Sequence, residues 1–338
     1  ARQALLAARD PRMVRCLGIT GHYGPAVLYK ALERFAFDTI LMALTPADRH
    51  AFVEAEAARL GLGCVTVVEA GAGSGSLLRA LLDAARVEVR PWAVEVSPAA
   101  RAALCRVVPE ATVVADLAAV GCFAGVLVAN ELVDNLPVAL VVRRGESWAE
   151  RRVGAEAGAL CWVESPARCE VASWAGRFAG PVPEGGVVEV QLAAGRWLKQ
   201  ALGLLEAGAA VLADYGDSGP GLASRRAEGT LRTYRQHHLG PDPLLAPGAT
   251  DLTVDVDFGA LQAGARAAGA EVEVLLQAAF LERWGLRDLL ARYREQELAL
   301  ARSGEALDRL RVRSLITGGE ALLRPRGLGD FRVLVARR

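Results

Sequence analysis

A glycine-rich turn between a strand-like and a helix-like pattern constrains the fold of this chain most strongly. Residues 65–69 are mostly valine, as expected of a strand buried on both faces, and leucines recur at helical spacing from Leu77 onward. Gly71, Gly73 and Gly75 lie between the two patterns. Glycine allows a positive φ and lets a ligand approach the backbone, while the first N–H groups of a helix lack partners within it. The stretch therefore predicts a small-molecule site at the carboxyl end of a strand.

Acidic residues at the ends of successive apolar runs favour a binding site over a bare turn. Glu69 lies two residues before the first glycine, and Glu95 closes the next apolar run roughly 20 residues after the turn, where an acid that binds a ribose is expected. Dinucleotide-binding domains share these two features. Asp116 closes a third run, residues 112–115, and this third acid separates the chain from those domains. On the turn alone, a tight strand-to-helix connection without a ligand remains an alternative.

Together, these glycines and acids resemble the pattern of class I S-adenosylmethionine-dependent methyltransferases. The resemblance implies S-adenosyl-L-methionine as the cofactor, with its methionine part over the glycine turn, its ribose hydroxyls on Glu95 and its adenine amino group on Asp116. The cofactor-binding residues expected from it are Glu69, Gly71, Gly73, Gly75, Glu95, Val96, Asp116, Leu117 and Asn130. A nicotinamide oxidoreductase is disfavoured, because no catalytic pair for hydride transfer is evident.

The composition is that of a soluble globular enzyme. Of the 338 residues, 52% are hydrophobic and 23% are charged, and the formal net charge is zero, so nothing favours nucleic acid or a membrane surface as a partner. We find no run of membrane-spanning length and expect no signal peptide, although what precedes Ala1 is open. The six cysteines show no metal-ligand spacing, so we expect no metal site and a reducing, cytoplasmic setting.

Strand and helix patterns alternate over residues 65–130, which predicts an α/β fold with a parallel sheet. The resemblance makes this a Rossmann-like class I methyltransferase fold, with a mostly parallel seven-stranded sheet whose last strand is antiparallel. N-terminal helices and an inserted antiparallel β/helical substrate region are expected in addition. The expected divisions are an N-terminal helical segment over 1–62 that covers the active site, a core over 63–137 and 187–338, an insertion over 138–186, and an active-site loop over 217–256.

The N-terminal segment predicts two helices. Apolar residues on one helical face predict the first over residues 26–44. Thr45 and Pro46 are typical of an N-cap and a first-turn proline, and they predict a second helix that ends near Leu60, before Gly61.

Two acids follow the fourth predicted strand, which ends near Ala129. Glu131 and Asp134 are three residues apart, so one helical turn puts both carboxylates on the same side. Polar groups at the carboxyl end of a strand are well placed for function in such sheets. A solvated helix start, whose acids suit the helix dipole, is the alternative.

Motifs in the second half narrow the resemblance to one family. These motifs are residues 129–138, 213–216, 229–238, 251–258 and 280–286. In this order they are similar to the MidA/NDUFAF7-type family, formerly a domain of unknown function, and the resemblance runs from about Val65 to the C-terminus. Members include mitochondrial and bacterial proteins tied to the assembly of respiratory complex I. The characterised family activity, methylation of a protein arginine guanidinium, implies an arginine N-methyltransferase.

The chain departs from the family pattern at three places. A Gly-Asp-Phe-x-Thr-Ser-type stretch appears only as residues 21–25, Asp255 stands where the family has His, and residues 189–192 read Glu-Val-Gln-Leu where the family often has Glu-Val-Ser-Pro. These positions are expected to face the acceptor. The reaction is therefore expected to be shared while the acceptor differs, for example free L-arginine or another small guanidino compound.

A guanidinium acceptor would need acidic groups around it. Its pKa lies above ~12 and its charge is delocalised, whereas carboxylates can grip its planar fork and localise the charge away from one nitrogen. Methyl transfer also requires the acceptor nitrogen near attack distance. The expected catalytic residues are Glu131, Asp134, His237 and Asp255. The expected substrate-binding residues are Tyr23, Glu131, Asp214, Tyr234, His238 and Asp257. A structural role for the two adjacent histidines remains the alternative.

Two other functions are consistent with the sequence. One is an N- or O-methyltransferase of another small metabolite, and the other is an assembly factor that binds S-adenosylmethionine and a partner protein without needing turnover. The sequence leaves open whether the arginine is free or peptidyl, how many methyl groups are added, which pathway is served and whether the protein is a homodimer.

Overall fold

The computed structural model describes residues 18–21, 39–42, 49–225, 227–235, 238–245, 247–303 and 306–338. These residues form two compact units, each built from more than one stretch of the chain. The first unit contains the described residues up to Ala119 together with those of Leu276–Asp330. The second contains Val120–Leu275 together with Phe331–Arg338.

The helices and strands of the described residues are as follows. The strands are β1 (Gly18–Gly21), β2 (Thr39–Met42), β3 (Cys64–Ala70), β4 (Glu88–Val94), β5 (Thr112–Val114), β6 (Phe123–Asn130), β7 (Ala139–Arg144), β8 (Ser147–Glu156), β9 (Ala159–Pro166), β10 (Val187–Val190), β11 (Leu205–Asp214), β12 (Gly216–Asp217), β13 (Arg232–Arg235), β14 (His238–Leu239), β15 (Asp251–Thr253), β16 (Val256–Asp257), β17 (Glu271–Leu276) and β18 (Arg332–Arg337). The helices are α1 (Arg49–Leu60), α2 (Ser76–Ala84), α3 (Pro98–Val107), α4 (Cys169–Phe178), α5 (Leu192–Leu204), α6 (Gly219–Arg225), α7 (Phe258–Ala267), α8 (Gln277–Arg283), α9 (Leu286–Ser303) and α10 (Ala306–Leu323).

Seven strands form one sheet in the order β17-β18-β11-β6-β3-β4-β5. In the first unit, β3 pairs in parallel with β4, and β4 with β5. In the second, β11 is parallel to β6 and antiparallel to β18. The apolar runs of β3 and β6 are buried along most of their length, as is typical of central parallel strands. The predicted α/β class is therefore confirmed, with a mostly parallel seven-stranded sheet and an antiparallel last strand.

Local sequence signals explain the helices that border the glycine turn. α3 begins after Ser97, whose Oγ accepts a hydrogen bond from the Ala100 N–H at 3.3 Å, and Pro98 occupies its first turn. α1 ends at Leu60, where the Leu62 N–H donates to the Ala57 carbonyl at 2.9 Å and closes the last turn. The end of α1 is at the position that the sequence predicts.

The predicted helix over residues 26–44 is wrong at its carboxyl end. Thr39–Met42 is instead strand β2, which pairs in parallel with β1. The run Thr-Ile-Leu-Met includes two β-branched residues and is apolar throughout most of its length, so strand pairing overrides the helical spacing there. The remainder of that helix, and the predicted N-cap at Thr45 and Pro46, lie outside the described residues.

Aromatic packing ties the helices of the first unit together. The Phe52 ring of α1 lies edge-on to Trp284 at 5.3 Å and tilted against Phe280 of α8 at 5.8 Å. Both phenylalanines are buried. Since offset and edge-to-face rings add to the free energy of burial, this cluster fixes α8 against α1. Within the described residues, no helix is both long enough and apolar enough to cross a membrane.

The second unit carries an additional antiparallel sheet in the order β10-β7-β8-β9. Its inner face packs on α4, and Val141, Val171, Ala175 and Val190 form the buried cluster between them. Strands β7, β8 and β9 pair antiparallel within residues 138–186, where the sequence predicts an antiparallel insertion. The segment 217–256, which the sequence suggests is a loop, contains helix α6 and several short strands, because backbone groups inside a compact unit need partners.

Candidate active site

The glycine turn in the first unit has the backbone that its sequence predicts. Gly71, Gly73 and Gly75 all have positive φ, at 70°, 53° and 78°. A Cβ on Gly75 would lie 3.0 Å from Leu104 Cγ, so a side chain there would collide as well as strain the backbone. The N–H groups of Gly71 and Ala72 both donate to the Val94 carbonyl, at 2.9 and 3.2 Å. The turn is thus anchored to the carboxyl end of β4.

Glu95 is brought directly onto this turn. Its Oε2 accepts the Gly73 N–H at 2.8 Å, and its Oε1 accepts the Ser97 N–H at 2.8 Å. The guanidinium of Arg101 donates to the Glu95 carbonyl at 2.8 Å and fixes the backbone that carries this acid. The carboxylate is therefore held in one orientation at the strand end, with lone pairs remaining on each oxygen.

Glu69 has a partner within the same turn. Its carboxylate is buried, and Oε2 accepts the Leu78 N–H of α2 at 3.1 Å. The contact satisfies one of the unpaired N–H groups at the helix start and places a negative charge where the helix dipole favours it. Glu69 thus braces the turn from below.

Val96, Asp116 and Leu117 complete the edge of the turn. The Val96 side chain is 80% exposed although it is apolar, so it offers a bare surface next to Glu95. Asp116 is exposed, and its Oδ1 accepts the Ala118 N–H at 2.9 Å. Leu117 is buried and supports that loop. Two acids and an uncovered apolar surface around a glycine turn suit a nucleoside, which presents hydroxyls, an amino group and a flat ring.

In the second unit, Glu131 projects from the carboxyl end of β6. Its φ is 48°, a left-handed conformation that is uncommon for a residue other than glycine. The Glu131 N–H donates to the Ala213 carbonyl at 2.9 Å, and Asn130 Nδ2 donates to Glu131 Oε1 at 3.3 Å. The side chain is exposed. Strained backbone of this kind concentrates at functional positions.

Asp214, at the end of β11, binds the turn that residues 131–135 form after β6. It is 1% exposed, and its Oδ2 accepts the N–H groups of Val133 at 3.0 Å and Asp134 at 3.1 Å. Its Oδ1 accepts the Tyr215 N–H at 2.9 Å. Burial, followed by the nearby charge of Asp134, raises the pKa of Asp214 well above its usual value despite these bonds. Asp214 therefore organises the turn rather than facing solvent.

Asp134 and Tyr215 hydrogen-bond to each other beside Asp214, and these three residues form the buried layer next to Glu131. The Tyr215 hydroxyl donates to Asp134 Oδ2, and Asn135 Nδ2 donates to Asp134 Oδ1 at 2.7 Å. Burial raises the pKa of Asp134, with a smaller contribution from the charge of Glu131. Burial, together with the hydrogen bond to Asp134, also raises the pKa of the Tyr215 hydroxyl. The phenol is therefore a proton donor to this carboxyl group over the whole physiological pH range.

A guanidinium of the chain itself lies beside this layer. Arg232 Nη2 donates to Asp255 Oδ1 in an ion pair, and its Cζ lies 5.2 Å from the centroid of the Tyr215 ring. The Asp255 side chain is only 7% exposed, whereas that of Arg232 is 27% exposed. Asp255, expected to be catalytic, is thus already paired with a cation.

Glu189, Gln191 and Asp257 support that ion pair from behind. Gln191 donates to the Asp255 carbonyl at 2.7 Å and accepts the Asp257 N–H at 2.9 Å. Glu189 Oε1 accepts the N–H groups of Thr230 at 2.6 Å and Leu231 at 3.1 Å. Burial raises the pKa of Glu189, and it raises the pKa of Asp257 to about 6. Asp257 Oδ1 caps α7 by accepting the Ala260 N–H at 2.9 Å.

The remaining expected residues are placed unevenly. Tyr234 lies two residues after Arg232 on β13, so both share one face of that strand, and it is half-buried. His238 pairs with Arg235 through the backbone of β14. Tyr23 and His237 lie outside the described residues. Among the described positions, no group of three or more His, Cys, Asp or Glu side chains is arranged to hold a metal ion.

Four residues around these acids are absent from the catalytic and substrate-binding residues that the sequence predicts. They are Glu189, Gln191, Tyr215 and Arg232. Tyr215 follows the strand-end acid Asp214 directly, and Arg232 lies inside the 229–238 motif, so both had a local signal. Glu189 and Gln191 lie within residues 189–192, which were expected to face the acceptor, and Gln191 stands where the family often has Ser.

Residues 54–276 match a family model described as "Putative S-adenosyl-L-methionine-dependent methyltransferase". The match covers more than half of the chain. It includes the glycine turn and the acidic cluster of the second unit, whose acids are Glu131, Asp134, Glu189, Asp214, Asp255 and Asp257.

Curated relatives match a shorter stretch. The human mitochondrial protein arginine methyltransferase NDUFAF7 is 33% identical over 126 residues, which is 37% of this chain and 25% of that protein. The mouse protein of the same name is 33% identical over 123 residues, 36% of this chain and 24% of that protein. The match thus spans about a quarter of the length of these relatives.

Two solved structures from Burkholderia thailandensis share the fold over most of the chain. One is an uncharacterised COG1565 superfamily protein with a TM-score of 0.75 and 28% identity, covering 87% of this chain and 78% of that one. The other, a COG1565 superfamily member bound to S-adenosyl-homocysteine, has a TM-score of 0.74 and 29% identity, covering 87% and 77%. The cofactor predicted from the sequence, S-adenosyl-L-methionine, is thereby confirmed. The chain belongs to the S-adenosyl-L-methionine-dependent methyltransferase family whose model it matches over residues 54–276.

Proposed function

We propose that this methyltransferase transfers a methyl group to a nitrogen of an arginine guanidinium, with Glu131 as the catalytic carboxylate. The observation that carries the proposal is the exposed Glu131 side chain, held on a left-handed backbone directly above buried acids. A cation that approaches from solvent meets this carboxylate first. The rodent and human relatives are protein arginine methyltransferases by name, which supports the same class of acceptor here.

The chemistry of the acceptor explains the need for such a residue. A guanidinium nitrogen is a weak nucleophile while its lone pair is delocalised, and a carboxylate that binds two N–H groups draws the positive charge away from the third nitrogen. That nitrogen then forms a bond to the methyl carbon as the bond from carbon to sulfur breaks, and S-adenosyl-homocysteine leaves. The surplus N–H proton passes to a carboxylate or to water.

The buried layer positions Glu131 rather than binding the acceptor. Asp214 fixes the backbone of residues 133 and 134, and the Tyr215 hydroxyl and Asn135 hold the Asp134 carboxyl group. Because burial raises the pKa values of Asp134 and Asp214, the layer gives up charge readily as pH falls. Binding of a cationic acceptor should therefore weaken at low pH.

We further propose which residues hold the cofactor. Gly71, Gly73 and Gly75 would lie against its methionine part, Glu95 would accept from the ribose hydroxyls, and Asp116 would accept from the adenine amino group. The exposed Val96 side chain would cover one face of the adenine ring. The bound cofactor supplies an electrophilic methyl group on a sulfonium, and these residues would orient it. Residues 217–256, which carry Arg232 and Asp255, are proposed as the acceptor-binding segment.

The test is methyl transfer followed by mass spectrometry. The protein is incubated with S-adenosyl-L-methionine and either L-arginine or arginine-containing peptides, and a mass increase of one methyl group is sought. Transfer to neither would refute a guanidinium acceptor. Cofactor binding in calorimetry, without transfer to any acceptor, would instead favour an assembly factor, and transfer only to other metabolites would favour the small-molecule alternative.

The role of Glu131 has its own variant and a matched control. Glu131→Gln should lower kcat at least 100-fold while cofactor affinity changes less than twofold, because the amide cannot carry the charge that opposes the guanidinium. Glu146 is an exposed glutamate in the β7–β8 turn, and Glu146→Gln should be indistinguishable from the native protein. Native turnover in Glu131→Gln would remove the residue from the mechanism.

A further inference from the structure

Arg232 is a cation whose hydrogen bonds are incompletely used. Its Nη2 donates to Asp255, but its Nε is buried and has no hydrogen-bond partner among the residues that the structure describes. Guanidinium has five N–H donors in a rigid plane, and a buried donor without an acceptor is costly. A ligand oxygen in the plane of this group would relieve that cost.

The side chain is held in place for such a task. Its Cζ lies over the Tyr215 ring, 5.2 Å from the ring centroid, and its Nη2 donates to the Asp255 carboxylate. The Asp255 backbone N–H donates to Thr230 Oγ at 2.9 Å, and Glu189 holds the backbone of residues 230 and 231. An arginine that is held at Nη2 and lies over an aromatic ring, with its side chain 27% exposed, keeps further N–H donors in its plane for a planar partner.

We infer that Arg232 binds the α-carboxylate of the acceptor, so that the acceptor is a free amino acid rather than a peptidyl arginine. The inference rests on the proposed function and narrows its substrate class. Carboxylate is the planar anion that matches the guanidinium fork, and a peptidyl residue has no α-carboxylate to offer. Arg232 contacts the Tyr215 ring, and the hydroxyl of that ring contacts Asp134, next to Glu131 in the same turn. The carboxylate end and the guanidinium end of one amino acid would thus meet opposite charges within one unit.

An amino-acid carboxylate has a second source, since the cofactor also carries one on its methionine part. The two sources make different predictions. If Arg232 serves the acceptor, its loss raises the KM of L-arginine and leaves the Kd of the cofactor unchanged. If it serves the cofactor, the Kd of S-adenosyl-homocysteine rises and discrimination among acceptors is unchanged.

The experiment compares acceptors that differ only at the head group. L-Arginine, argininamide, agmatine and an internal arginine peptide are offered to the native enzyme and to Arg232→Gln. The native enzyme should prefer L-arginine at least tenfold in kcat/KM, and Arg232→Gln should lose that preference by raising the KM of L-arginine at least tenfold. Equal use of L-arginine and agmatine by the native enzyme would overturn the inference, and so would a cofactor-only effect.

Binding without turnover separates this inference from the proposed function. Calorimetry of L-arginine and of agmatine, each titrated into the native protein with S-adenosyl-homocysteine, reports head-group recognition even when no methyl is transferred. Tenfold tighter binding of L-arginine supports Arg232 as its receptor although the proposed function fails, and equal affinities refute the inference.

Two further variants guard against a merely structural effect. Arg232→Lys keeps the charge without the planar fork, and it should recover part of the preference for L-arginine. Arg168 is the control, because it is also an arginine paired with a buried carboxylate: its Nη2 lies 3.0 Å from Glu150. It lies well before Arg232 in the sequence. Arg168→Gln should leave the preference intact. If it lowers the preference as much as Arg232→Gln does, the assignment is wrong.

Discussion

The glycine turn and the acidic cluster solve two binding problems in different ways. The turn in the first unit uses backbone N–H groups and residues between positions 69 and 118, and its acid Glu95 is fixed by two of those N–H groups. The cluster in the second unit is assembled from side chains of five separated segments, 130–135, 189–191, 214–215, 230–232 and 253–257. Several of its acids are buried and have raised pKa values.

This difference matches what each region has to recognise. A cofactor that stays the same suits a backbone-based turn, because substitutions at most positions leave the N–H groups unchanged. An acceptor that varies suits a cluster of side chains, where one exchange alters charge and shape. Asp255 stands where the resembled family has His, and here its carboxylate forms an ion pair with Arg232, so the exchange places a negative charge beside that guanidinium.

The largest expected effect tests whether the cluster depends on its deepest member. Asp214→Ala removes the acceptor of two buried N–H groups, those of Val133 and Asp134, and of the partly buried Tyr215 N–H. Each unpaired buried donor costs about 1–3 kcal/mol, partly offset because the buried carboxyl is itself costly, so the free energy of unfolding should fall by about 3 kcal/mol. Urea unfolding at pH 7 measures it.

Asp242 supplies the comparison for that variant. It is exposed and its Oδ1 accepts only the Leu244 N–H, at 2.8 Å. Asp242→Ala should therefore cost less than about 1 kcal/mol, as surface substitutions do. If the two variants lose equal stability, burial of the acids in the cluster does not carry the energetic weight that we assign to it.

The sequence predicts the glycine turn more completely than it predicts the acidic cluster. The glycine turn, the strand-end acids Glu95 and Asp116, and the order of strands and helices around them are local patterns, and the structure has them where the pattern predicts. The pairing of Arg232 with Asp255 joins residues 23 positions apart through β13 and β15, and no local pattern encodes it. Likewise the burial that raises the pKa of Asp214 depends on packing from distant segments, which spacing along the chain does not reveal.

The next effect tests the turn alone. Glu95→Gln should weaken S-adenosyl-homocysteine binding about 10- to 100-fold, because hydrogen bonds to a charged acceptor are worth about 1.5–3 kcal/mol and the amide replaces one acceptor oxygen by a donor. Calorimetry measures the Kd. Glu88→Gln, at an exposed position at the start of β4, the strand that Glu95 follows, is the control and should bind normally. Unaltered affinity in Glu95→Gln would show that the cofactor does not use this acid.

A pH effect should belong to the cluster. The folded-state pKa of Asp257 is raised to about 6 by burial, above its usual value of 3.8. A raised pKa means that the protonated form stabilises the fold, fully below pH ~4, and that this contribution is lost as pH rises through ~6. The whole loss should be about 3 kcal/mol, of which about 2 kcal/mol falls between pH 4.5 and pH 7.5.

Asp257→Asn isolates this contribution, because the amide does not titrate and still caps a helix. The free energy of unfolding of the native protein, minus that of the variant, should be about 2 kcal/mol higher at pH 4.5 than at pH 7.5. Denaturant titrations at the two pH values give this difference. A difference of the opposite sign would mean that the folded state stabilises the ionised form of Asp257.

The smallest effect asks whether the strain at Glu131 is kept for function. Its left-handed backbone, with φ of 48°, costs about 1 kcal/mol for a residue with a Cβ, and glycine removes that cost. Glu131→Gly should therefore raise the free energy of unfolding by up to about 1 kcal/mol, less the entropy that glycine loses on folding, while it abolishes methyl transfer.

Ala157 has the same conformation, with φ of 49°, in the turn between β8 and β9. Ala157→Gly should gain a similar stability and leave transfer untouched. If both variants gain stability but only Glu131→Gly loses activity, the strain at the cluster is the cost of placing a carboxylate where the acceptor binds. If Glu131→Gly loses stability, the hydrogen bond from Asn130 outweighs the strain, and the side chain has a structural role of its own.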